Sequence, residues 1–344
     1  MRAFFRFALL GLILLAPLAG QDITRYSPQL IPQPGPVTDQ PYAPQALMAG
    51  GIVIPVWPPD SPMLNHERVH EAEVYEMDPQ IPGRVRTMSN VHNPSIEVHP
   101  VAKNQNTGAA IIFIAGGGNK RLFVGGESCD IVSYLFNYGV TGIILRPRLR
   151  ADGYNAEIDS VNDTLQAIRL VRKYAEKWGI DPHKIGVMGF SAGGEQASGA
   201  SLGYPTFDAA QHKPDDSLAG VSARPDFTAL IYTGPSILTA NPKAPIPIDV
   251  PPAFIASASY GGKRHTIWST DYYMAMLRIE VPNIELHLYG SGGHGGGITD
   301  RGGIPFGTWL DRFIDWFRDL GFLQKPGIPT KAAQDTAAQL SAQK

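Results

Sequence analysis

The strongest constraint on the fold of this chain is the sequence G-F-S-A-G at residues 189–193, which ends an apolar run that starts near Lys184. Such a run followed by this glycine pattern predicts a buried strand that turns sharply into a helix, with Ser191 at the apex. Gly189 and Gly193 are expected where any Cβ atom would collide with the neighbouring strand and helix. The pattern predicts a nucleophile elbow; an ordinary glycine-rich turn between a strand and a helix is the alternative.

Two groups of backbone N–H donors are predicted near this turn. The helix after the elbow begins near Ala192, and its free N–H groups and dipole would face a carbonyl that develops negative charge. The triglycine at residues 116–118 follows the apolar run 109–114, and glycines there let N–H groups turn toward a ligand. This triglycine predicts either the other half of an oxyanion hole or a flexible loop.

Apolar runs and helical patterns alternate along most of the chain, which predicts a mostly parallel sheet covered by helices. The predicted strands are residues 95–101, 109–114, 140–145, 184–190, 227–232, 253–257 and 284–289, and the main predicted helices are 130–136, 159–178, one containing Met274 and Leu277, and one around 309–320. The polar, turn-rich stretch 203–224 is predicted to be an insertion that walls a substrate cleft.

Composition excludes several classes of protein. With 344 residues, of which 43% are hydrophobic and 17% charged, the chain is long enough for one large α/β domain or two small ones. A net charge of −2 argues against nucleic acid or an acidic membrane surface as a partner. The single cysteine, Cys129, allows no internal disulfide and no thiolate metal cluster.

The N-terminal segment, residues 1–20, is typical of a secretory signal peptide. Arg2 and Arg6 precede an apolar run at residues 8–16 and a small-residue stretch at 17–20. We therefore expect a secreted or periplasmic protein with no stable membrane insertion after cleavage, and a retained anchor is the alternative. Beyond this segment, residues 21–70 are expected to form a proline-rich extended lead-in, 71–324 the catalytic α/β domain, and 325–344 a loose C-terminal tail.

The lead-in contains two stretches with a possible role of their own. Residues 51–57 are apolar enough to dock on the domain as a strap. Residues 66–70 match H-E-x-x-H, which on a helix would place two imidazoles for zinc. A proline-rich stretch precedes the motif and a strand-like alternation follows it, so we interpret it as polar sequence leading into a strand. No metal or organic cofactor is expected.

His294 is the candidate general base for Ser191. It lies among glycines, in G-S-G-G-H-G-G-G at residues 290–297, directly after the last predicted strand. A base in this position, downstream of the serine, agrees with the chain order serine, acid, histidine. A serine hydroxyl is inert at neutral pH until a base takes its proton, so the two residues together explain more than either alone.

With these motifs the chain resembles the α/β-hydrolase-fold serine esterases, particularly the secreted acetylxylan-esterase-like and hormone-sensitive-lipase-like group. The likeness covers roughly residues 85–325 and is carried by A-G-G-G at 115–118, D-P-H-K-I at 181–185, G-F-S-A-G-G at 189–194, V-P-P-A-F at 250–254 and G-G-H-G at 292–295. It implies a central, mostly parallel sheet of about eight strands with helices on both faces. It also implies ester hydrolysis with Ser191 as nucleophile, His294 as base, and an oxyanion hole of Gly117, Gly118 and Ala192.

The chain departs from the family at the third member of the catalytic triad. Relatives carry an aspartate on the loop after the seventh strand, where this chain has S-Y-G-G-K-R-H at residues 259–265. The nearest downstream acid is Asp271, which we predict as the triad acid, with a surface or helix-capping role as the alternative. Glu195 and Asp300 are weaker substitutes, and the Tyr260 hydroxyl or a water molecule is a further way to orient His294.

The sequence therefore predicts a secreted serine carboxylesterase that acts on short acyl esters, with acetyl as the expected acyl group and a small molecule or carbohydrate as the alcohol. Two alternatives remain open. A serine peptidase of the prolyl-oligopeptidase type uses the same elbow, although no propeller-sized N-terminal domain is present. A degenerate hydrolase that binds a ligand without turnover would explain the missing acid. The oligomeric state is left open.

Overall fold

The computed structural model describes residues 22–30, 38–211, 216–298 and 305–342. The predicted signal segment, residues 1–20, and Asp300 lie outside the described residues. The strands are β1 Ile52–Pro55, β2 Val74–Met77, β3 Val85–Ser89, β4 Ser95–His99, β5 Ala110–Ile114, β6 Thr141–Arg146, β7 Ile185–Phe190, β8 Thr228–Ile231, β9 Ala253–Ala258 and β10 Glu285–Tyr289. The α-helices are α1 Asp130–Phe136, α2 Val161–Lys173, α3 Ala192–Gln211, α4 Ile237–Ala240, α5 Lys263–Arg278, α6 Trp309–Asp319 and α7 Lys331–Ala342.

Eight of the described strands form one sheet in the order β1-β4-β6-β5-β7-β8-β9-β10. The pairs β1/β4 and β4/β6 are antiparallel, and the remaining pairs are parallel. Every residue of β5, β6 and β7 is buried. Helices must therefore cover both faces, since parallel strands buried on two sides need apolar cover from each. The predicted α/β-hydrolase fold with its mostly parallel sheet is confirmed.

The two faces of the sheet carry separate apolar layers. Residues of α2, α3 and α5 pack in one cluster, with Leu165, Ala197 and Met276 as examples. The other cluster contains residues of α1 and α6, such as Ile131 and Trp309. The central strands are therefore held rigidly between helices, which fixes the positions of the loops that leave their carboxyl ends.

The predicted lead-in is part of the sheet rather than a strap over it. β1 pairs with β4 along its length, with Ile54 opposite Ile96, and Ile54 is fully buried. The segment before β1 is also attached to β4, because the two carboxylate oxygens of the buried Glu97 accept hydrogen bonds from the backbone N–H groups of Leu47 and Met48, at 2.7 and 3.0 Å. A domain boundary at residue 71 would therefore cut off a strand of the sheet.

The stretch predicted as a loose tail contains a helix that packs on the domain. In α7, Ala332 and Thr336 are buried, and the Thr330 hydroxyl caps the helix by accepting from the N–H of Ala333 at 3.1 Å. Lys184 fixes the preceding segment, because its Nζ donates to the carbonyl oxygens of Gln324 and Lys325 at 2.8 and 3.1 Å. The prediction of a loose tail over 325–344 was wrong for residues 331–342.

The prediction of an insertion over residues 203–224 was also wrong in its first part. α3 runs through Pro205 to Gln211, and buried Tyr204 and Phe207 hold this last part of the helix against the domain. A proline removes one helical hydrogen bond, and here packing of the apolar face offsets that loss. The described residues of this stretch do not line the cleft beside Ser191.

The H-E-x-x-H stretch does not form the helix that a zinc site needs. Residues 66–70 lie in successive turns, and the Nε2 atom of His66 is 3.0 Å from the carbonyl oxygen of Ser61. None of the described helices is both long and apolar enough to cross a membrane.

Candidate active site

Ser191 lies at the apex of the turn between β7 and α3, with φ of 52°. Residues other than glycine rarely adopt such a backbone, and one held there by its surroundings marks a strained, functional position. A Cβ atom on Gly189 would lie 2.2 Å from the carbonyl oxygen of Gly193, and one on Gly193 would lie 2.0 Å from that of Ile114. The elbow therefore has the geometry that the glycine pattern predicts.

The loop after β10 brings His294 to this serine. The Ser191 Oγ atom is 3.0 Å from the Nε2 atom of His294, so the hydroxyl can donate its proton to the imidazole. We call residues 290–297 the base loop. Several of its glycines have positive φ, among them Gly292 at 146°, where a Cβ atom would lie 2.3 Å from Cβ of Phe306.

Three backbone N–H groups lie beside Ser191 without a described hydrogen-bond acceptor. Gly117, Gly118 and Ala192 line the cleft, and their N–H groups donate to no described residue. We call residues 116–118 the oxyanion loop. Gly117 has φ of 139°, and a Cβ atom there would lie 2.0 Å from the carbonyl oxygen of Arg121, so this backbone requires glycine. The arrangement can stabilise an oxyanion that forms where Ser191 attacks a carbonyl.

The structure does not bring Asp271 to His294. Asp271 is exposed on α5 and makes no hydrogen bond or ion pair with any described residue, so the geometry gives no support to its predicted role as triad acid. Tyr260 is 80% exposed, and its hydroxyl bonds to no described residue. Glu195 lies at the cleft, where its Oε2 atom accepts from Nδ2 of Asn119 at 3.1 Å, and no hydrogen bond joins it to His294.

His265 is a residue of the site that the sequence analysis did not single out. Its ring stacks on the His294 ring, with centroids 3.6 Å apart and planes 15° apart. The Nδ1–H of His265 donates to the carbonyl oxygen of Thr233 at 3.0 Å, and burial lowers the pKa of its imidazole. A neutral ring on this face holds His294 in plane and avoids like-charge repulsion when His294 accepts a proton.

Glu195 is a partly buried acidic residue of the cleft whose pKa is shifted toward neutrality. Burial raises the pKa of its carboxyl from 4.5 to about 7, although the hydrogen bond from Asn119 opposes the shift. The folded protein therefore binds more protons than the unfolded chain between these pH values. Stability contributed by the neutral carboxyl is present below pH 4.5 and is lost as the pH rises toward 7.

We expect the variant Glu195→Gln, which has no titratable carboxyl at this position, to lack the loss of stability between pH 4.5 and 7. Between pH 4.5 and 7 the free energy of unfolding of the wild type should fall relative to that of the variant by up to about 1.4 kcal/mol per pH unit, the slope for one proton. Urea denaturation at several pH values measures this difference. Glu176→Gln, at an exposed position, is the matched control and should run parallel to the wild type. If the free energy of unfolding of Glu195→Gln also followed that of the wild type at every pH, the raised pKa of Glu195 would be contradicted.

The cleft around Ser191 is wide and open, with a volume of about 990 Å³. Arg86, Arg264 and Trp268 lie along its wall, beside the ion pair between Arg84 and Asp78 at 3.1 Å. Within the part of the chain that the structure describes, no group of three His, Cys, Asp or Glu residues is arranged to hold a metal ion.

The fold and the site geometry define an α/β-hydrolase-fold protein with a serine–histidine pair at the carboxyl edge of its sheet. Residues 96–222 match the BD-FAE family. The chain is 26% identical over 241 residues to an acetylxylan esterase of Xylanibacter ruminicola, an alignment that covers 62% of this chain and 45% of that protein. The chain thus spans less than half the length of that curated relative.

Solved structures also resemble this chain in fold. An acetyl ester-xyloside bifunctional hydrolase from Caldicellulosiruptor lactoaceticus is 26% identical, with a TM-score of 0.63 over 79% of this chain and 97% of that one. An esterase from Thermogutta terrifontis, at 20% identity and a TM-score of 0.55, covers 70% of this chain and 92% of its own, and it supports the fold alone. The predicted resemblance to α/β-hydrolase-fold esterases is confirmed.

Two further residues near the site, Glu127 and Tyr232, were also not predicted. Tyr232 directly follows β8, and residues at the carboxyl ends of parallel strands commonly reach the site, so its position carried a usable signal. Glu127 lies in a π-helical turn, Gly125–Cys129, that no sequence pattern indicated.

Proposed function

We propose that this protein is a secreted or periplasmic serine carboxylesterase that hydrolyses short acyl esters, with acetyl as the acyl group and carbohydrate as the alcohol. The observation that carries the proposal is the 3.0 Å contact between Ser191 Oγ and His294 Nε2, beside N–H groups that have no described acceptor. An activated hydroxyl and an oxyanion hole are the two parts that acyl transfer needs.

In the proposed reaction the Ser191 oxygen attacks the ester carbonyl while His294 takes the hydroxyl proton. The carbonyl oxygen becomes an oxyanion that accepts hydrogen bonds from the N–H groups of Gly117, Gly118 and Ala192. Collapse of this intermediate breaks the ester bond, and His294 gives its proton to the leaving alcohol. Water then attacks the acyl-enzyme with His294 again as base, which releases the carboxylic acid and restores the serine.

The substrate class is supported by the relatives and by the shape of the cleft. The relative and the solved structure at 26% identity are named for acetylxylan and acetyl ester hydrolysis. An open cleft of about 990 Å³ has room for an alcohol as large as a sugar chain. Export is supported by the signal-like composition of residues 1–20, with Arg2 and Arg6 before an apolar run.

We expect kcat/KM to be highest for acetyl among p-nitrophenyl acetate, butyrate and octanoate, and expect acetate release from acetylated xylo-oligosaccharides. The purified chain without residues 1–20 is assayed by nitrophenol absorbance and by acetate quantification. A preference for octanoate would contradict the short acyl group, and release of nitrophenol without release of acetate from the oligosaccharide would contradict the carbohydrate alcohol.

A further inference from the structure

Glu127 and Tyr232 connect the two loops that carry the oxyanion donors and the base. We propose that this Glu127–Tyr232 pair is a positioning device that fixes the oxyanion loop and the base loop relative to Ser191, so that neither loop can shift alone. The inference rests on the proposed ester hydrolysis, and it concerns residues that act through the backbone of the site rather than on the substrate.

The carboxylate of Glu127 holds the oxyanion loop. Its Oε2 atom accepts from the N–H of Gly116 at 2.6 Å, and its Oε1 atom accepts from the hydroxyl of Tyr232 at 2.8 Å. Glu127 is only 3% exposed and Tyr232 is fully buried. A buried carboxylate is costly unless hydrogen-bonded, so each of these donors contributes to keeping it in place. Both oxygens of one side chain thus serve different segments of the site.

The tyrosine carries the connection to the base loop. Its hydroxyl oxygen accepts from the N–H of Gly297 at 2.9 Å, while its proton goes to Glu127. Its ring packs against the ring of His294, with ring centroids 5.0 Å apart and planes at 72°. His294 is therefore in contact with two aromatic rings, the stacked ring of His265 and the steeply inclined ring of Tyr232. A displacement of the Tyr232 ring would therefore shift the imidazole of His294.

The spaces around these contacts are tight. A Cβ atom on Gly116 would lie 2.7 Å from the carbonyl oxygen of Phe190 and 2.8 Å from Cβ of Ser191. One on Gly297 would lie 1.8 Å from the carbonyl oxygen of Gly126, so the base loop abuts the turn that carries Glu127. Close packing of backbone on backbone means that small shifts on one side are transmitted to the other.

Tyr232 itself has an uncommon backbone, with φ of 37° directly after β8. Its N–H donates to the carbonyl oxygen of Ala256 at 2.7 Å, which fixes this conformation to the next strand. A non-glycine residue in the left-handed region is strained and persists where its surroundings hold it in place, which is typical of functional sites. In this conformation the Tyr232 hydroxyl lies between Glu127 and Gly297.

Tyr232→Phe tests the proposal, because it removes one oxygen and keeps the ring. We expect kcat for p-nitrophenyl acetate to fall about 10- to 100-fold, the usual cost of a small misplacement of catalytic groups, with KM within about twofold. The inhibition constant of methylboronic acid, which forms a tetrahedral adduct on an active serine, should rise by a similar factor. Glu127→Gln should have the same effect, because the amide nitrogen that replaces one carboxylate oxygen is a donor and would face either the N–H of Gly116 or the hydroxyl proton of Tyr232.

The matched control is Tyr272→Phe, which removes another buried hydroxyl, bonded to Ser201 Oγ at 2.8 Å, in the apolar layer that does not contain Tyr232. It should lower Tm to a similar extent and leave kcat unchanged. The double variant Glu127→Gln/Tyr232→Phe should lose no more activity than the worse single variant. Unchanged kcat in Tyr232→Phe, or fully additive losses, would overturn the proposal.

Hydrogen exchange tests the pair independently of turnover. In each single variant we expect the amides of both loops, at residues 116–118 and 290–297, to exchange faster than in the wild type. Faster exchange in one loop only would show that the loops are not coupled through this pair. Absence of turnover in the wild type, with the coupled exchange intact, would refute the esterase proposal and leave the positioning role standing.

Discussion

Ser191→Ala is expected to lower kcat for p-nitrophenyl acetate by at least about 10,000-fold, because the variant has no oxygen to form the acyl-enzyme. Residual turnover should come from the oxyanion donors and substrate binding alone. Initial rates at saturating ester measure the loss. Ser259→Ala, at an exposed serine on the loop after β9, is the matched control and should keep wild-type turnover.

The same loss is expected for His294→Ala, since Ser191 Oγ then has no base among the described residues to take its proton. Because the two side chains act as a unit across 3.0 Å, the double variant should be no slower than either single variant. Losses that add on a logarithmic scale would show that the residues act in separate steps. Turnover near the wild-type rate in either single variant would contradict the proposed mechanism.

Gly117→Ala is expected to lower kcat about 100- to 1,000-fold, the usual cost of losing an oxyanion donor. The added Cβ atom would lie 2.0 Å from the carbonyl oxygen of Arg121, and φ of 139° suits only glycine, so the loop must shift and its N–H must turn. KM should change little, because the lost hydrogen bond forms mainly in the transition state.

Gly290→Ala is the control for this substitution. It lies in the base loop, has no positive φ, and a Cβ atom there would meet nothing within 4 Å. Its kcat should remain near that of the wild type. Circular dichroism and Tm separate a local loop shift from loss of folding. Equal kcat in Gly117→Ala and the wild type would show that this N–H takes no part in the reaction.

The parts of the fold that could be predicted are those determined by residues close together in the sequence. The elbow needs glycine at residues 189 and 193 because backbone atoms occupy the space of a side chain, and any chain that folds this way shows that pattern. The central strands are apolar without alternation because both of their faces are buried. The base loop could be predicted for the same local reason, as a histidine among glycines after the last strand.

The parts that could not be predicted depend on contacts between distant segments. α7 has only six apolar residues among its twelve, and the segment before it is held by Lys184, more than a hundred residues earlier in the chain. His265 is distinguished only by stacking on His294. The role proposed for Glu127 depends on the hydrogen bond from Tyr232, which is 105 residues away in sequence. Asp271 is the first acid in sequence after the seventh strand, but in the structure it is exposed on α5 and has no described hydrogen bond to His294.

The central claim is that Ser191 is the nucleophile that His294 activates, and covalent labelling tests it most directly. A fluorophosphonate, which reacts with activated serines, is incubated with the wild type and with His294→Ala, and the adduct is located by peptide mass spectrometry. We predict one adduct on Ser191 in the wild type and labelling slower by orders of magnitude in His294→Ala. Labelling at another serine, or equal rates in both proteins, would contradict the account.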